Sequence, residues 1–460
     1  MLATGYRALR LAAGSARGSF TRTPLVTASC SRRLPALACY STAPETRETN
    51  APQESAQLPA SDAGKEPPSF LRKSPTTKPL WAKAHPPISI DVDGKSVSFE
   101  TSFLRESCPC SQCIHPSTKQ RNFKVADIPI PISPKSIEKD GDITTIQWQN
   151  DIPGFDQHVS KFTTEHLRRL QNPHPQFKEP LVLWDRRTFE IFYRRISYDD
   201  YMNTEAGFRA SMLQLRRFGL LFLDNVPEDP ESVAKIATRI GTIKNTFYGM
   251  TWDVRNKPDP KNVAYTNDAL GFHMDLLYFK QPPGYQFLHC MKNELPGGES
   301  LFSDSFKAAD TLRKDHSQYF KHLKRAPVSF GYKNDKQDYM QERKTIEASV
   351  DNPEEAQYVN YSPPFQIPNL PPITPRHTDI PHSHTVESLK RFKDILERED
   401  NVVELKLDAG QCVIFQNRRI VHGRRAFAAA SGEDSRDRWL RGTYVDEEVA
   451  HSQFKSLGIM

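Results

Sequence analysis

From about residue 175 to the C-terminus, short apolar segments alternate with proline, glycine and aspartate. GLLFLDNV, GYQFLHCM, NVVELKL and GQCVIFQ each have the length and composition of a strand. GFRASMLQLRRF and ESVAKIATRIG have helical periodicity, and Gly241 ends the second of them. Many short strands separated by turn residues predict a sandwich or jelly-roll barrel rather than alternating βαβ units. We therefore expect a mainly β domain with flanking helices over residues 173–460.

The preceding sequence predicts a small β-rich domain over residues 86–172. ISIDVDGKSVSF has alternating apolar residues on both sides of Asp93-Gly94, a preferred sequence for a tight hairpin turn. TTIQWQ predicts a further strand and TTEHLRRLQ a short helix. In the larger domain, residues 307–400 are polar and contain scattered prolines, so we expect a long insertion between strands.

Residues 1–44 contain six arginines and no lysine, aspartate or glutamate. Such a segment is typical of a mitochondrial presequence, and a disordered tail is the alternative. A secretory signal is disfavoured because the arginines interrupt its apolar runs. We therefore expect a location in the mitochondrial matrix. Residues 45–85 are rich in proline, serine, threonine and charge, which predicts a disordered linker.

Charge and cysteine content argue against several classes of protein. Without the six N-terminal arginines, 56 basic side chains balance 56 acidic ones, so a nucleic-acid partner is not indicated. No apolar stretch reaches the roughly 18 residues that a membrane-spanning helix requires. Five cysteines follow residue 44, and an odd number in a reducing compartment argues against a disulfide framework.

His273 and Asp275 lie two residues apart in GFHMDLLYF, an apolar and aromatic segment. On a strand or at its end, this spacing places both side chains on one face. Together with a second histidine from a distant strand, they would provide a 2-His-1-carboxylate iron site with open positions for oxygen and a cosubstrate. A core histidine with satisfied hydrogen bonds is the alternative interpretation.

A second pair with the same spacing, His377 and Asp379, provides a comparison. It lies among prolines, where a regular strand is disfavoured, whereas LLYF beside the first pair is strand-like. GQCVIFQNRRIVHGRR predicts a strand followed by His422, which is 147 residues after Asp275 but 43 after Asp379. The longer interval has room for several strands and favours the first pair, with the core-histidine alternative still open.

ESCPCSQC places Cys108, Cys110 and Cys113 within six residues. This spacing allows three thiolates to reach one tetrahedral zinc ion. The neighbouring His115 and the distant His158 are both candidates for the fourth ligand. A closed four-ligand site would be structural, and redox or iron–sulfur use is the alternative.

The chain resembles the family of gamma-butyrobetaine hydroxylase and trimethyllysine hydroxylase from about residue 88 to the C-terminus. The resemblance rests on the cysteine segment and on FYGMTWDV, NVAYT, FHMDLLYFKQPPGYQFLHCM, GGES, FQNRRIVHGRR and RWLRGTYVD, in this order. It implies an iron(II)- and 2-oxoglutarate-dependent oxygenase on a double-stranded β-helix, which hydroxylates an unactivated carbon of a betaine with oxygen. Ascorbate dependence and a homodimer are further expectations from the family.

The resemblance implies that His273, Asp275 and His422 bind the iron. Met274 stands where the family usually has threonine, at a position that does not bind the metal. The resemblance also implies that His158, rather than His115, completes the zinc site.

For 2-oxoglutarate, the resemblance implies that Arg438 binds the distal carboxylate, which suits a planar two-pronged cation. Arg436 is the alternative, because the interval from His422 to Arg438 is a few residues longer than usual in the family. Ser300 in GGES resembles a hydroxyl that assists this carboxylate. An arginine without the motif would most simply be a surface charge.

For the substrate, the resemblance implies an aromatic cage, because a trimethylammonium group has no hydrogen-bond donor and binds to aromatic faces. Any one of these aromatic residues taken alone would most simply be a core residue. Ser362-Pro363-Pro364 stand where the family has an Asn/Asp-rich segment, a departure that bears on the substrate. The implied cage consists of Tyr248, Trp252, Tyr265 and Tyr444, with Asn262 at the substrate carboxylate and Asn360 near it.

These features give three hypotheses about the substrate and one about a protein without turnover. Gamma-butyrobetaine comes first because NVAYT and FKQPPG are closer to that branch of the family. Trimethyllysine comes second, and another quaternary-ammonium or carboxylate substrate third. A non-catalytic scaffold would be expected to lack an iron ligand or the cosubstrate arginine, and the sequence has all four.

Overall fold

The computed structural model describes residues 87–171, 180–255, 266–334, 336–368, 381–428 and 437–460. The predicted presequence and the predicted linker fall outside these residues, so both stay predictions. The same holds for five of the residues discussed above, which are Asn262, Tyr265, His377, Asp379 and Arg436.

The first described segment consists of short strands and helices, in the order β1 (Ile88–Val92), β2 (Lys95–Phe99), α1 (Thr101–Glu106), a 3-10 helix (Val125–Asp127), β3 (Pro134–Asp140), β4 (Ile143–Trp148), β5 (Val159–Thr163) and α2 (Thr164–Gln171). β1 and β2 form a hairpin in which Asp93 and Gly94 have φ values of 55° and 75°. β3, β4 and β5 form an antiparallel sheet in that order. The predicted hairpin, the TTIQWQ strand and the TTEHLRRLQ helix are confirmed.

The next segment contains most of the helices that cover the larger sheet. Its elements are α3 (Arg186–Phe192), β6 (Ile196–Ser197), α4 (Tyr198–Asn203), α5 (Glu205–Phe218), β7 (Leu220–Asp224), α6 (Ser232–Ile240) and β8 (Thr251–Arg255). α5 ends at Gly219, whose φ of 68° lies in the left-handed region that favours glycine. α5, β7 and α6 confirm the helices and the strand predicted there, and α6 ends at Gly241 as expected.

The remaining elements contain the other strands of two main sheets and the predicted insertion. They are β9 (Leu270–His273), β10 (Tyr285–Asn293), β11 (Ser300–Asp304), α7 (Ser305–Asp315), α8 (Ser317–Leu323), β12 (Pro327–Asn334), β13 (Gln337–Lys344), β14 (Ile346–Ala348), β15 (Ala356–Val359), a 3-10 helix (Pro363–Phe365), β16 (Gln366–Ile367), α9 (His382–Leu396), a 3-10 helix (Glu399–Asn401), β17 (Val403–Leu405), β18 (Gln411–Gln416), β19 (Ile420–Arg424), β20 (Arg438–Val445) and α10 (Glu447–Ser456).

Two sheets share an aromatic core. The larger has the strand order β6-β7-β18-β10-β20-β8, and the smaller has the order β17-β11-β19-β9. Phe302 of the smaller sheet lies with its ring centroid 5.7 Å from that of Phe222 and 5.7 Å from that of Phe415, both in the larger sheet. The inner faces of the two sheets are therefore in contact, and the candidate site lies between strands of both.

Helices cover the other face of the larger sheet. Apolar side chains of α5, α6 and α10 form one buried cluster with β7, β10 and β18, including Leu215, Ile236, Phe287 and Phe454. The described protein is thus a mixture of helix and sheet that is rich in β structure. The expectation of a barrel is met only in part, because in the described residues both main sheets are open and neither closes on itself.

The predicted insertion separates β11 from β17, which are neighbours in the smaller sheet. The sequence did not predict its regular structure, which includes α7, α8, α9 and the β12-β13 hairpin. Leu312, Phe330 and Phe392 of the insertion belong to the same buried cluster as Met274 and Leu276 beside the candidate iron ligands. The insertion therefore packs against the site.

No helix of the described ranges has both the length and the apolar character needed to cross a membrane. Among the described residues, Cys108, Cys110, Cys113, Cys290 and Cys412 are free cysteines.

Candidate active site

The smaller sheet brings His273, Asp275 and His422 together. β9 ends at His273, which pairs in register with His422 of β19, and Asp275 follows the strand by two residues. The possible ligand atoms of the three side chains all lie within 4.8 Å of one another. His273 Nε2 is 3.7 Å from Asp275 Oδ1, and His422 Nε2 is 4.0 Å from Asp275 Oδ2. The three candidate ligands thus surround one point, as the sequence predicted.

The hydrogen bonds of these side chains leave their inner atoms available to a metal. His273 Nδ1 is 2.9 Å from the Gly271 carbonyl oxygen, to which it donates, so Nε2 keeps its lone pair. His422 is buried, and within the described part of the chain its Nδ1 has no partner. Burial, and then the nearby His273, lower the pKa of His422 well below its ordinary value. His422 is therefore neutral, as a metal ligand must be.

A glycine allows the two ligand strands to approach each other. Gly423 follows His422, and a Cβ at this position would lie 2.8 Å from the Leu270 carbonyl oxygen of β9. Any larger residue would push β19 away from β9 and separate the two histidines. In the HGR segment, Gly423 is thus needed for the close approach of the two strands, and His422 is the candidate ligand.

The LLYF segment after Asp275 is a turn, so the strand-like setting inferred from the sequence is wrong for these residues. Leu276 has a φ of 57°, which is rare for a residue with a side chain. Arg343 of the insertion donates to the carbonyl oxygens of Leu277, at 2.9 Å, and of Phe279. These bonds satisfy carbonyl groups that a strand would have paired, which is why the apolar run folds as a turn.

Asn417, in the turn between β18 and β19, forms hydrogen bonds with the backbone of Asp275. The sequence did not predict this role. The adjacent Arg418 donates to Glu347 Oε1 at 2.6 Å and to Asn360 Oδ1 at 2.9 Å, both in the insertion. Arg419 is fully buried and forms an ion pair with Asp304 at 2.8 Å. The NRR segment before His422 therefore connects the site to the Asp275 backbone, to the insertion and to the end of β11.

A cavity adjoins the three candidate ligands, and its wall also contains Arg438, Arg424 and Ser300. Arg438 is 4% exposed, and its Nε has no partner among the described residues. Burial, and then the charge of Arg424, lower the pKa of Arg438 to about 10, which leaves it charged at neutral pH. Gly298 makes room for it, since a Cβ there would lie 3.1 Å from Arg438 Nε.

Aromatic side chains form another part of the cavity wall. Tyr248, Trp252 and Tyr444 lie there as predicted. The wall also includes Tyr278 and Phe365, which were not predicted as part of the cage. Trp252 and Tyr444 stack with ring centroids 4.0 Å apart. The Tyr444 hydroxyl donates to Asp275 Oδ2 at 2.9 Å. One aromatic residue thus contacts a candidate iron ligand directly.

Asn360 does not line this cavity. It is buried, and its Nδ2 donates to the Lys344 carbonyl oxygen at 2.7 Å and to Glu347 Oε1 at 2.8 Å. Its Oδ1 accepts from Arg418. The side chain is therefore fully engaged in joining the insertion to the turn before β19.

The three cysteines meet His158 in the N-terminal segment. His158 Nε2 lies 3.4, 3.5 and 3.3 Å from the sulfur atoms of Cys108, Cys110 and Cys113. The other ring nitrogen of His158 is 2.8 Å from Asp151 Oδ2. Donation from Cys113 and His158 outweighs burial and lowers the pKa of Cys108 to about 3. The four side chains form a compact donor set around one point.

His115, the alternative fourth ligand, is exposed and takes no part in this cluster. Its Nδ1 accepts hydrogen bonds from the backbone N–H groups of Ser117 and Thr118, at 3.3 and 3.2 Å. The histidine distant in sequence is thus the one that lies among the three thiols.

Two family models match the chain. Residues 178–444 match the taurine catabolism dioxygenase TauD, TfdA family. Residues 88–168 match the model described as gamma-butyrobetaine hydroxylase-like, N-terminal.

Three relatives are similar over most of the chain. Dioxygenase str8 of Strobilurus tenacellus is 37% identical and covers 75% of this chain and 82% of its own length. Gamma-butyrobetaine dioxygenase of Pseudomonas sp. strain AK-1 is 30% identical, over 82% of this chain and 96% of its own length. The mitochondrial trimethyllysine dioxygenase of Homo sapiens is 25% identical, over 82% of this chain and 87% of its own length.

Proposed function

The chain is a dioxygenase of the taurine catabolism dioxygenase TauD, TfdA family, and on that premise we propose that it uses iron(II) and 2-oxoglutarate to hydroxylate a trimethylammonium substrate. Gamma-butyrobetaine, which would become carnitine, is the first candidate. In this proposal the two open sheets correspond to the double-stranded β-helix expected from the sequence.

The donor set supports the iron. Two neutral imidazoles and one carboxylate around a point, with an open cavity on one side, are the facial triad of non-haem iron(II) oxygenases. His273, Asp275 and His422 would hold the metal, and Tyr444 would orient the carboxylate through its bond to Oδ2. Bound iron would supply the oxygen chemistry.

Arg438 supports the cosubstrate. A buried guanidinium whose Nε lacks a partner within the described residues is costly unless a ligand neutralises it. The distal carboxylate of 2-oxoglutarate suits it, because the planar guanidinium can form two parallel hydrogen bonds. Ser300 lines the same wall and would add a hydroxyl donor.

Trp252, Tyr444, Tyr248 and Tyr278 support a cationic substrate group. Aromatic faces attract quaternary ammonium ions, and several faces together are the usual means of binding them. One observation carries the proposal: the iron-ligand triad, the buried arginine and the aromatic wall all line one cavity. This combination also weighs against a scaffold without turnover.

The experiment measures succinate released from 2-oxoglutarate by purified protein with iron(II) and ascorbate. We expect gamma-butyrobetaine to stimulate succinate release. Mass spectrometry should show the hydroxylated product forming in parallel with the succinate. Stimulation by trimethyllysine alone would assign the other branch. The absence of turnover with every trimethylammonium compound, in protein that binds iron, would overturn the proposal.

A different substrate of the same reaction is the second candidate. Ser362-Pro363-Pro364 depart from the Asn/Asp-rich segment expected of the family, and a fungal relative named only as a dioxygenase is 37% identical. Phe365, the next residue, lines the cavity, so the departure lies beside the proposed substrate position. The succinate assay with a panel of other betaines and carboxylates separates this candidate from the first.

We also propose that Cys108, Cys110, Cys113 and His158 hold a structural zinc ion. Donation from His158 to Asp151 leaves Nε2 directed at the three sulfur atoms, the usual arrangement of a carboxylate–histidine–zinc site. Four protein ligands leave no open position, so this zinc would stabilise the N-terminal segment.

We also propose that the protein is located in the mitochondrial matrix, because residues 1–44 resemble a presequence. A further proposal is that residues 86–172 and residues 173–460 form two domains. A fluorescent protein fused after residue 44 tests the first. Import into mitochondria is expected, and uniform fluorescence outside them would contradict it.

A further inference from the structure

Gln286 is a polar residue buried in the wall of the candidate active site. It lies on β10 and is 3% exposed, and it lines the cavity together with the three candidate iron ligands. Its Oε1 is buried and, in the described part of the chain, has no hydrogen-bond partner. A buried carbonyl oxygen without a donor destabilises the ligand-free protein, so a ligand that interacts favourably with it would bind more tightly.

The register of β10 places Gln286 next to the candidate metal. Gln286 pairs with Tyr444 of β20 on one side and with Phe415 of β18 on the other, so all three side chains share one face. Tyr444 donates to Asp275, and the Phe415 ring lies 4.7 Å from the ring of His422. Each neighbour of Gln286 therefore contacts a candidate iron ligand.

Gln286 is well separated from Arg438. Arg438 pairs with Asn293, seven residues farther along β10, and Leu288 and Leu440 line the cavity between the two ends. The end with Arg438 suits an anion. The end with Gln286 offers a carbonyl oxygen and the stacked rings of Trp252 and Tyr444, which suit a cation.

An unpaired acceptor needs a partner with positive charge or a proton to donate. 2-Oxoglutarate is anionic and oxygen is neutral, and neither offers a donor. Of the three molecules that the proposed reaction brings to the cavity, only the betaine is positively charged at one end. Its methyl groups carry part of that charge, and an amide oxygen in a buried site attracts them more strongly than in water.

We propose that the Oε1 atom of Gln286 faces the trimethylammonium group of the substrate and, with Trp252 and Tyr444, selects it over an uncharged group of the same shape. This inference rests on the proposed function. It adds a polar, charge-sensing contact beside the stacked rings of Trp252 and Tyr444.

The test compares gamma-butyrobetaine with 5,5-dimethylhexanoate, in which a carbon atom replaces the charged nitrogen. Binding of both compounds to the iron- and 2-oxoglutarate-loaded protein is measured by calorimetry in the absence of oxygen. For Gln286→Met we expect the preference for the betaine to fall about tenfold, with unchanged or tighter binding of 5,5-dimethylhexanoate. The melting temperature of the ligand-free variant should be unchanged or higher, because the substitution removes an unpaired buried acceptor.

Gln286→Glu provides a second variant with the opposite expected sign, a greater preference for the betaine. The matched control is Gln411→Met on β18, a half-buried glutamine whose Nε2 instead donates to Asp224 at 3.0 Å. We expect this control to leave the preference unchanged.

Four results would overturn the inference. Equal weakening of both compounds in Gln286→Met would mean that Gln286 only packs the wall. A change in cobalt(II) or 2-oxoglutarate affinity without betaine would assign Gln286 to the metal or cosubstrate site. Failure of the unaltered protein to bind any betaine would remove the proposed function as well, whereas betaine turnover with an unchanged preference in the variants would remove this inference alone.

Discussion

Asn417 binds both polar backbone groups of Asp275. Its Oδ1 accepts from the Asp275 N–H and its Nδ2 donates to the Asp275 carbonyl oxygen, both at 2.9 Å. Nδ2 also donates to the Pro283 carbonyl oxygen at 3.2 Å. Because Asn417 itself is fully buried, it fixes the position of a candidate iron ligand that lies outside any strand.

Replacing Asn417 should weaken metal binding. Asn417→Leu would leave the backbone groups of Asp275 unpaired and free to shift, and outer contacts of this kind are typically worth 10–100-fold in metal affinity. We expect a loss of about this size for cobalt(II), measured by titration of its visible absorption bands.

Asn401→Leu is the matched control for this effect. Asn401 is also buried, and its Nδ2 donates to the Ile395 carbonyl oxygen at the end of α9. Both variants should lose stability, but only Asn417→Leu should lose cobalt(II) affinity. Equal affinity in the two variants would show that Asn417 has no specific effect on the metal.

Arg438→Gln should raise the KM for 2-oxoglutarate by at least tenfold, because a hydrogen bond to a charged group contributes about 1.5–3 kcal/mol. Arg438→Lys should recover part of the loss, since it restores the charge without the planar fork. The control is Arg425→Gln, an exposed arginine paired with Glu404. An unchanged KM in Arg438→Gln would move the cosubstrate elsewhere, with Arg436 the next residue to test.

His158→Ala should release zinc, and His115→Ala should retain it. His158 lies among the three thiols, whereas His115 is exposed and bonded to its own loop. Atomic absorption on purified protein gives the metal content, and the loss of a structural zinc should also lower the melting temperature. Zinc lost from His115→Ala but retained by His158→Ala would reverse the assignment.

The sequence predicted much of what depends on local pattern. Asp93-Gly94 marks a hairpin because few other residue pairs accept its φ values. The two-residue spacing predicted that His273 and Asp275 lie together, as they do at the end of β9, and the apolar GQCVIFQ strand leads to His422. These interactions are set by neighbours in sequence or by a motif, so a single chain reveals them.

What the sequence did not predict depends on contacts between distant segments. LLYF is apolar enough for a strand, but it forms a turn whose carbonyl groups accept hydrogen bonds from Arg343 of the insertion. Asn417 and Gln286 were not selected because a lone amide in a strand or turn has many ordinary uses. The one available signal was a glutamine within the apolar GYQFLHCM, a strand that is otherwise suited to burial.

His289 should make the stability of the protein depend on pH. It is fully buried on β10, and within the described residues neither ring nitrogen has a hydrogen-bond partner. Burial, opposed by the charge of Asp229, lowers the pKa of His289 to about 4. An unfolded histidine titrates near pH 6.5, so between about pH 4 and 6.5 the unfolded chain binds more protons than the folded one.

The unfolding free energy should therefore be at its full value above pH 6.5 and fall as the pH is lowered through this window. At pH 5 the contribution of His289 amounts to a loss of about 2 kcal/mol relative to pH 7. Urea unfolding at the two pH values should show this loss in the unaltered protein and a smaller one in His289→Leu. His382→Leu, at an exposed histidine, should leave the difference as it was. An equal loss in His289→Leu would mean that other groups, rather than the buried imidazole, bind the protons that unfold the protein.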